Sequence, residues 1–584
     1  MTKKKLPVQR LFNLIVDERR EVFGIVIYAL LNSLLLLAIP LAAQALVNVS
    51  AAGLSVQPLL VLSGGLFLGL LFAGVLTCLR FYLAEHMLQR IFCRVAIRVA
   101  DILPIVKNRH LCRRGGPELM NRFFDVINIQ KSWFKIVYDA PGAVLEIILG
   151  LSLLALYGTE LFLVAGAFVT IGGLIVALAG VGGVKSSIQE SACKYRVAEW
   201  LEEMVRCQVA LRLNLRAGFW NEEADRRIVD YLNFRRRHFG VLMRQVVLHY
   251  LVTALGMAGM LGYGGYQVLL GQLSLGQLVA AELVVWSLFK ATEKLLRAWD
   301  AYFDLLTGLD KVGYITDLPV EKTGPAALTT TGNGVLVQVS ELSYAHSKGG
   351  DTFLDNINLT LQPGERVAIL GESGAGKTTL LKIIGGYLNA RSGSVEIDRV
   401  DVRELSPEGL AEAVGFLSDR NELFAGSLVD NVAVGRDCDL HKLRELILET
   451  GGKRALRQSS QGGYSPITSA GSVLSSGERT SILLSRALLS NPRLLMIDDS
   501  LSDLDEVSLR EVIELTWLSS ERPTILTTST NPRIVGHCDR VVILDGGTIA
   551  EVGTPTELAS RANSSFRRLY PTLCQLLLAL EPSS

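Results

Sequence analysis

Residues 371–379 read GESGAGKTT and fit the pattern G-x-x-x-x-G-K-[ST]. A strand-like run, RVAIL, leads into them, and the apolar-periodic TLLKIIGGYL carries the chain on. A strand feeding a glycine-rich turn into a helix aims successive backbone N–H groups, and the positive end of the helix, at a phosphate chain. Gly371, Gly374 and Gly376 let the backbone curl with no Cβ in the way, and Ser373 and Thr379 lie in the same loop. Lys377 supplies a mobile cation for β- and γ-phosphates, and Thr378 offers a hydroxyl to Mg²⁺. The chemistry is that of a phosphate cradle.

A second set of chemically suspect residues stands in apolar surroundings: Glu146 in AVLEIILGL, His249 at the head of another apolar run, and Glu282 in VAAELVVW. An ionisable group within hydrocarbon is costly, so these three are candidates for a transport pathway. The plainer reading is a hydrogen bond to a neighbouring helix.

The elements that must carry these residues follow from length and patterning. The chain has 584 residues, too many for one domain, and its 49% hydrophobic content crowds into the first half. A net charge of +1 calls for no nucleic acid. The eight cysteines form no C-x-x-C pair and read as reduced, mostly packed thiols. No secretory signal is expected, because the apolar run after the basic start is too long and lacks a cleavage site.

Six apolar stretches, at about 22–47, 57–82, 137–158, 160–184, 246–270 and 275–297, each approach the roughly 20 residues that cross a hydrocarbon core as a helix. A basic segment with Arg90, Arg94, Arg98, Lys107, Arg109, Arg113, Arg114, Arg122, Lys131 and Lys135 separates the second from the third. Another, ending in Arg235, Arg236, Arg237 and Arg244, separates the fourth from the fifth. The connections at 48–56 and 271–274 hold no Lys or Arg, so the positive-inside bias puts the N-terminus, both basic segments and everything after 298 in the cytoplasm. Both long segments have helical character and are expected to continue the spans as legs below the bilayer. Residues 1–21 suit a helix lying on the membrane surface, with a simple solvated helix the alternative. Residues 316–334 lose periodicity and gain Pro, Gly and Thr, which marks a linker. From Val335 onward short β-rich runs alternate with helical patterns, the signature of an α/β domain with a mainly parallel sheet.

The P-loop, the segment LSSGE at 474–478 with the following RTSILLSRALLSNPRLLMIDDSLSDLD, and six spans ahead of them together resemble a half-transporter of the ABC exporter class. The similarity in layout extends over nearly the whole chain. Within the class, the turn GQLSLGQLVAAELV looks most like the type I secretion and peptide-export branch. The resemblance implies ATP and Mg²⁺ as cofactors. It casts Tyr344 as the ring that stacks on adenine, although a tyrosine in a β-run is more often a packing residue. It makes Asp498, at the end of LLMI, the carboxylate that holds Mg²⁺ through water. Ser475 and Gly477 match the signature loop that approaches the γ-phosphate on a partner subunit, and 502–505 (SDLD) match the loop that crosses between two nucleotide domains.

Four departures accompany these matches. Asp499 stands where the family has a glutamate that polarises the attacking water; it keeps the charge one methylene short, and a misplacement near 1 Å costs on the order of 100-fold. Thr530 stands where a histidine contacts the γ-phosphate. Asp419 falls on the glutamine that senses the metal site, where a carboxylate either binds Mg²⁺ directly or repels phosphate. Ser476 replaces a glycine of the signature. Binding parts are intact and hydrolysing parts are weakened, with Asp499 and Thr530 as tolerated variants of an ordinary ATPase the alternative.

The expected architecture is an α-helical membrane domain of six spans with long cytoplasmic extensions, joined to an α/β P-loop nucleotide-binding domain. Its divisions are an interfacial helix at 1–21, spans within 22–315, a linker at 316–334, the nucleotide domain at 335–575 and a tail at 576–584. The resemblance implies an inner-membrane exporter of peptide or protein, working as a homodimer or a heterodimer with a second half-transporter, alongside a periplasmic adaptor if secretion is the task. An ATP-gated scaffold that moves nothing and a lipid flippase are the competing readings.

Overall fold

A computed structural model describes residues 6–51, 56–106, 120–214, 218–320, 324–326, 328, 333–346, 350–418, 423–458, 466–467, 474–519 and 522–580. The chain divides into two compact units, Met1–Glu321 and Lys322–Ser584.

The first unit is helical. Among the described residues, six stretches are long and apolar enough to cross a membrane: Arg19–Ser50, Gln57–Ile105, Arg122–Tyr157, Thr159–Ala179, Phe219–Leu269 and Leu275–Thr316. The second and fifth overrun the expected spans. Phe219–Leu269 has 51 residues, roughly 75 Å of helix at 1.5 Å per residue, more than twice a hydrocarbon core. Nothing in RFYLAEHMLQRIFCRVA breaks the second helix, since it lacks Gly and Pro, so it continues from Val56 to Ile102.

The N-terminal helix Pro7–Asp17 precedes the first span. Arginines in the second long helix are paired with acids around the start of the first: Arg90 meets Glu18 at 2.5 Å and Glu21 at 2.7 Å, and Arg94 meets Asp17 at 2.9 Å. The third span carries a π-helical turn at Lys135–Asp139, directly ahead of Pro141. A proline has no N–H and crowds the carbonyl four residues back, which here is that of Val137, and the wider turn absorbs both problems.

The second unit is α/β. Its strands are β1 (Val337–Tyr344), β2 (Leu354–Leu361), β3 (Arg366–Leu370), β4 (Ser392–Ile397), β5 (Val400–Asp401), β6 (Val414–Leu417), β7 (Gly426–Ser427), β8 (Pro466–Ile467), β9 (Leu494–Ile497), β10 (Thr524–Thr527), β11 (Arg540–Asp545) and β12 (Thr548–Gly553). Six form one sheet in the order β12-β11-β3-β10-β9-β6, parallel except for β12, and four form an antiparallel sheet in the order β2-β1-β4-β5. Val367 to Leu370 of β3 are fully buried, which a parallel strand covered on both faces requires.

Three apolar clusters organise this unit. One joins the antiparallel sheet to the helix Lys377–Ile384. A second lies under the helix Ser476–Leu488. A third packs Ala368 and Leu370 of β3 against Phe566, Leu573, Cys574 and Leu577. The expected boundary at 575 therefore falls inside a helix, Pro571–Leu580, whose Leu577 belongs to this core.

The described cysteines are free, with Cys193, Cys538 and Cys574 buried. Burial pushes the Cys538 thiol up to about 12, as for an inert packing residue. Cys78 and Cys93 are exposed and depart from the expected packed state.

Candidate functional site

The end of β3 turns directly into the predicted cradle. Gly371, Gly374 and Gly376 have φ of +155°, +88° and +103°. A Cβ on Gly371 would lie 2.2 Å from the Leu544 carbonyl oxygen, and one on Gly376 would lie 2.5 Å from the Leu354 side chain, so both need glycine. The helix that follows begins at Lys377 and aims its N-terminus back at the loop. The Lys377 ammonium donates to the carbonyl oxygens of Gly371, at 2.8 Å, and Glu372, at 3.0 Å. Burial lowers its pKa, against the pull of Asp499 and Asp498. Ser373 is exposed and Thr379 partly buried in the same loop and helix start.

Asp498 follows β9 and is 2% exposed. Its Oδ1 accepts from the Thr378 hydroxyl at 3.0 Å and from the Thr528 hydroxyl, just past β10, at 3.0 Å. A hydroxyl and a carboxylate oxygen side by side at a helix N-terminus are the hard donors that Mg²⁺ takes. Among the described residues no group of three His, Cys, Asp or Glu could hold a metal.

Asp499 has a left-handed backbone, φ +46° and ψ 19°, a conformation that Asp tolerates better than most residues. Desolvation raises its pKa, with Asp498 and Asp503 adding to the rise and Lys377 opposing it. Thr530 is exposed, and the hydroxyl that reaches the carboxylate is that of Thr528, two residues earlier. Asp419 lies outside the described residues.

Tyr344 ends β1 opposite Leu354, the residue that presses on Gly376. Its ring meets His346 edge-on at 5.2 Å, and His346 in turn lies 4.6 Å from Phe353, giving a small aromatic group next to the cradle.

Ser475 caps the helix Ser476–Leu488, which packs in the second apolar cluster and not in that of the cradle. Glu478 closes a capping box, its Oε2 accepting the Ser475 N–H at 2.7 Å and the Ser475 hydroxyl at 2.8 Å. The Glu478 side chain is only 8% exposed. A Cβ on Gly477 would come 3.0 Å from the Asp503 carbonyl oxygen, so this loop abuts the 502–505 segment of the same chain. Ser476 is exposed.

In the helical unit Glu146 is ion-paired with Lys294 of the sixth span at 2.8 Å. His249 is 5% exposed, with its ring edge-on to Tyr250 at 5.5 Å. Glu282 is partly buried, and its Oε1 is enclosed without a hydrogen-bond partner among the described residues.

Three participants escaped the sequence reading. Thr528 carries no motif, the Glu478 box was legible as S-x-x-E, and Tyr570 is bonded to Gly371 across 199 positions with no local signal.

Residues 354–502 match the model of the ABC transporter family. The chain is 27% identical over 308 residues to the alpha-hemolysin translocation ATP-binding protein HlyB of Escherichia coli O157:H7, covering 53% of this chain and 44% of that protein. It is 28% identical over 322 residues to the mycobactin import ATP-binding/permease protein IrtB of Mycolicibacterium thermoresistibile, covering 54% and 55%. It spans about half the length of the curated relatives it matches. A bacterial Atm1-family ABC exporter solved with ATP bound shares the fold, with a TM-score of 0.84 at 21% identity, over 97% of this chain and 99% of the other.

Proposed function

We propose that this chain, an ABC half-transporter, binds MgATP firmly in its own cradle, hydrolyses it slowly, and uses closure against a second half-transporter to move cargo across a bilayer. The observation that carries the reading is the pairing of Thr378 with Asp498 beside a carboxylate, Asp499, one methylene shorter than the family's glutamate.

Binding needs few rearrangements. Lys377 leaves two loop carbonyls for the β- and γ-phosphates, and the backbone N–H groups of the glycine loop take the phosphate oxygens. Thr378 and Asp498 would hold Mg²⁺, which neutralises charge on the phosphates when bound. Tyr344 offers its ring to adenine. Hydrolysis is the weak step. Asp499 must orient water from a shorter arm, and burial raises its pKa, so it loses its charge at a higher pH than an ordinary aspartate. Loss of an acid–base group costs about 10² to 10⁴ in rate.

The signature residues Ser475 and Gly477 complete a second chain's site in this reading, which makes the working unit a dimer. A better-equipped partner gives a heterodimer with one fast site; two copies of this chain give a slow homodimer. The basic segments flanking the spans favour a cytoplasmic nucleotide domain, and a bacterial inner membrane suits the relatives' hosts. Peptide or protein is the cargo class favoured by likeness to a translocation protein, while a relative named for import leaves the direction to experiment.

ATP-dependent uptake of peptide into inverted vesicles, abolished by Lys377→Ala, is the expected result. Uptake of lipid alone would indicate a flippase, and nucleotide binding with no uptake of either a scaffold.

A further inference from the structure

We propose that Tyr570 is a positioning residue for the phosphate cradle, holding the Gly371 peptide so that Lys377 is free to leave it for a phosphate. The proposal rests on the reading of residues 371–379 as the nucleotide site.

The Tyr570 hydroxyl donates to the Gly371 carbonyl oxygen at 2.6 Å and accepts from the Gly371 N–H at 3.1 Å. One hydroxyl thus serves both backbone groups of the first cradle residue, as a neighbouring strand would. A Cβ on Gly371 would lie 2.2 Å from the Leu544 carbonyl oxygen, so the position has no room for a side chain.

The same Gly371 carbonyl also accepts from Lys377 at 2.8 Å. A carbonyl has two lone pairs, and here both have donors. When the ammonium moves to a phosphate, a carbonyl with a single donor would be left unpaired in a half-buried place, at a cost. Tyr570 keeps its bond throughout. The departure of Lys377 therefore costs less than it would beside an apolar ring.

Tyr570 is anchored on both sides. It follows the short helix Ser565–Leu569, packs 6.2 Å from the Phe566 ring, and precedes the helix Pro571–Leu580. Phe566, Cys574 and Leu577 are buried with Ala368 and Leu370 of β3, so the strand that delivers the loop and the segment that delivers the hydroxyl share one core. Burial also raises the phenol pKa, which keeps the group a neutral donor.

The test uses the full-length chain in lipid nanodiscs, with the fluorescent ligands mant-ATP and mant-adenosine. Tyr570→Phe is expected to weaken mant-ATP about threefold to tenfold, the worth of one hydrogen bond, while mant-adenosine binding stays as in the wild type. Equal affinity for mant-ATP, or equal weakening of both ligands, would overturn the proposal. If Tyr570→Phe also lowers the melting temperature, Cys574→Ala serves as reference, because it loosens the same core and leaves the hydroxyl. Tyr570→Phe must then weaken mant-ATP more than Cys574→Ala does at a matched melting temperature; an equal effect contradicts the proposal. Lys377→Ala separates the layers. If it binds mant-ATP like the wild type, the nucleotide reading itself fails; if it abolishes binding while Tyr570→Phe changes nothing, only the positioning role fails.

Discussion

The hydroxyl of Thr378, the second residue of its helix, lies 3.0 Å from Oδ1 of Asp498, 120 positions later in the chain. Two parallel strands, β3 and β9, separated in the sheet by β10, bring them there. A hydroxyl on the helix that follows β3 and a carboxylate just past β9 are hard oxygen donors of the kind Mg²⁺ takes together with substrate phosphates.

Asp498→Asn should therefore remove the advantage of metal. The wild type is expected to bind ATP at least about tenfold more tightly with Mg²⁺ than with EDTA, and the variant equally in both. Equilibrium binding with and without Mg²⁺ checks this, and a variant that keeps the difference would place the metal elsewhere.

Restoring the missing methylene should restore rate. Asp499→Glu is expected to raise ATP turnover by about 10- to 100-fold with little change in ATP affinity, since a correctly placed base is worth that much. A raised pKa at Asp499 means that the basic form is lost at a higher pH than for an ordinary aspartate. Residual hydrolysis should accordingly begin to fall on acidification at a higher pH than an ordinary aspartate would give, and Asp499→Asn should lose that limb of the profile along with most of the remaining rate.

Thr528 is 1% exposed and donates to Asp498. Thr528→Val keeps the shape and removes the donor, which should destabilise the nucleotide-binding unit by about 1 to 3 kcal/mol in chemical denaturation. An unchanged midpoint would mean that the carboxylate finds another donor.

How much of this was legible in advance depended on the range of the interaction. The cradle could be read from residues 371–379 because a phosphate loop is local: glycines at fixed offsets, a lysine and a hydroxyl on one turn of helix. The spans could be read from hydropathy and their helical extensions from the basic segments, but where a helix such as Val56–Ile102 ends could not, since charged residues carry no stop signal. Thr528 and Tyr570 were invisible because strand order and core packing bring them in. The partner of Glu146 was equally hidden, since Lys294, which sits at 2.8 Å, is 148 positions away.

That ion pair makes its own prediction. Glu146→Ala leaves an ammonium without its counter-ion in a span and should lower the melting temperature, and adding Lys294→Met should recover part of the loss. Additive losses would show that the two groups do not depend on each other.

The most direct measurement is to titrate the purified full-length chain with ATP and follow bound nucleotide and released phosphate on the same sample. A chain that grips its nucleotide and cleaves it slowly should saturate at micromolar to sub-millimolar ATP while turning over below about one per second, under the usual enzyme range. Turnover at about tens per second from this chain alone, or no binding at all, would contradict it.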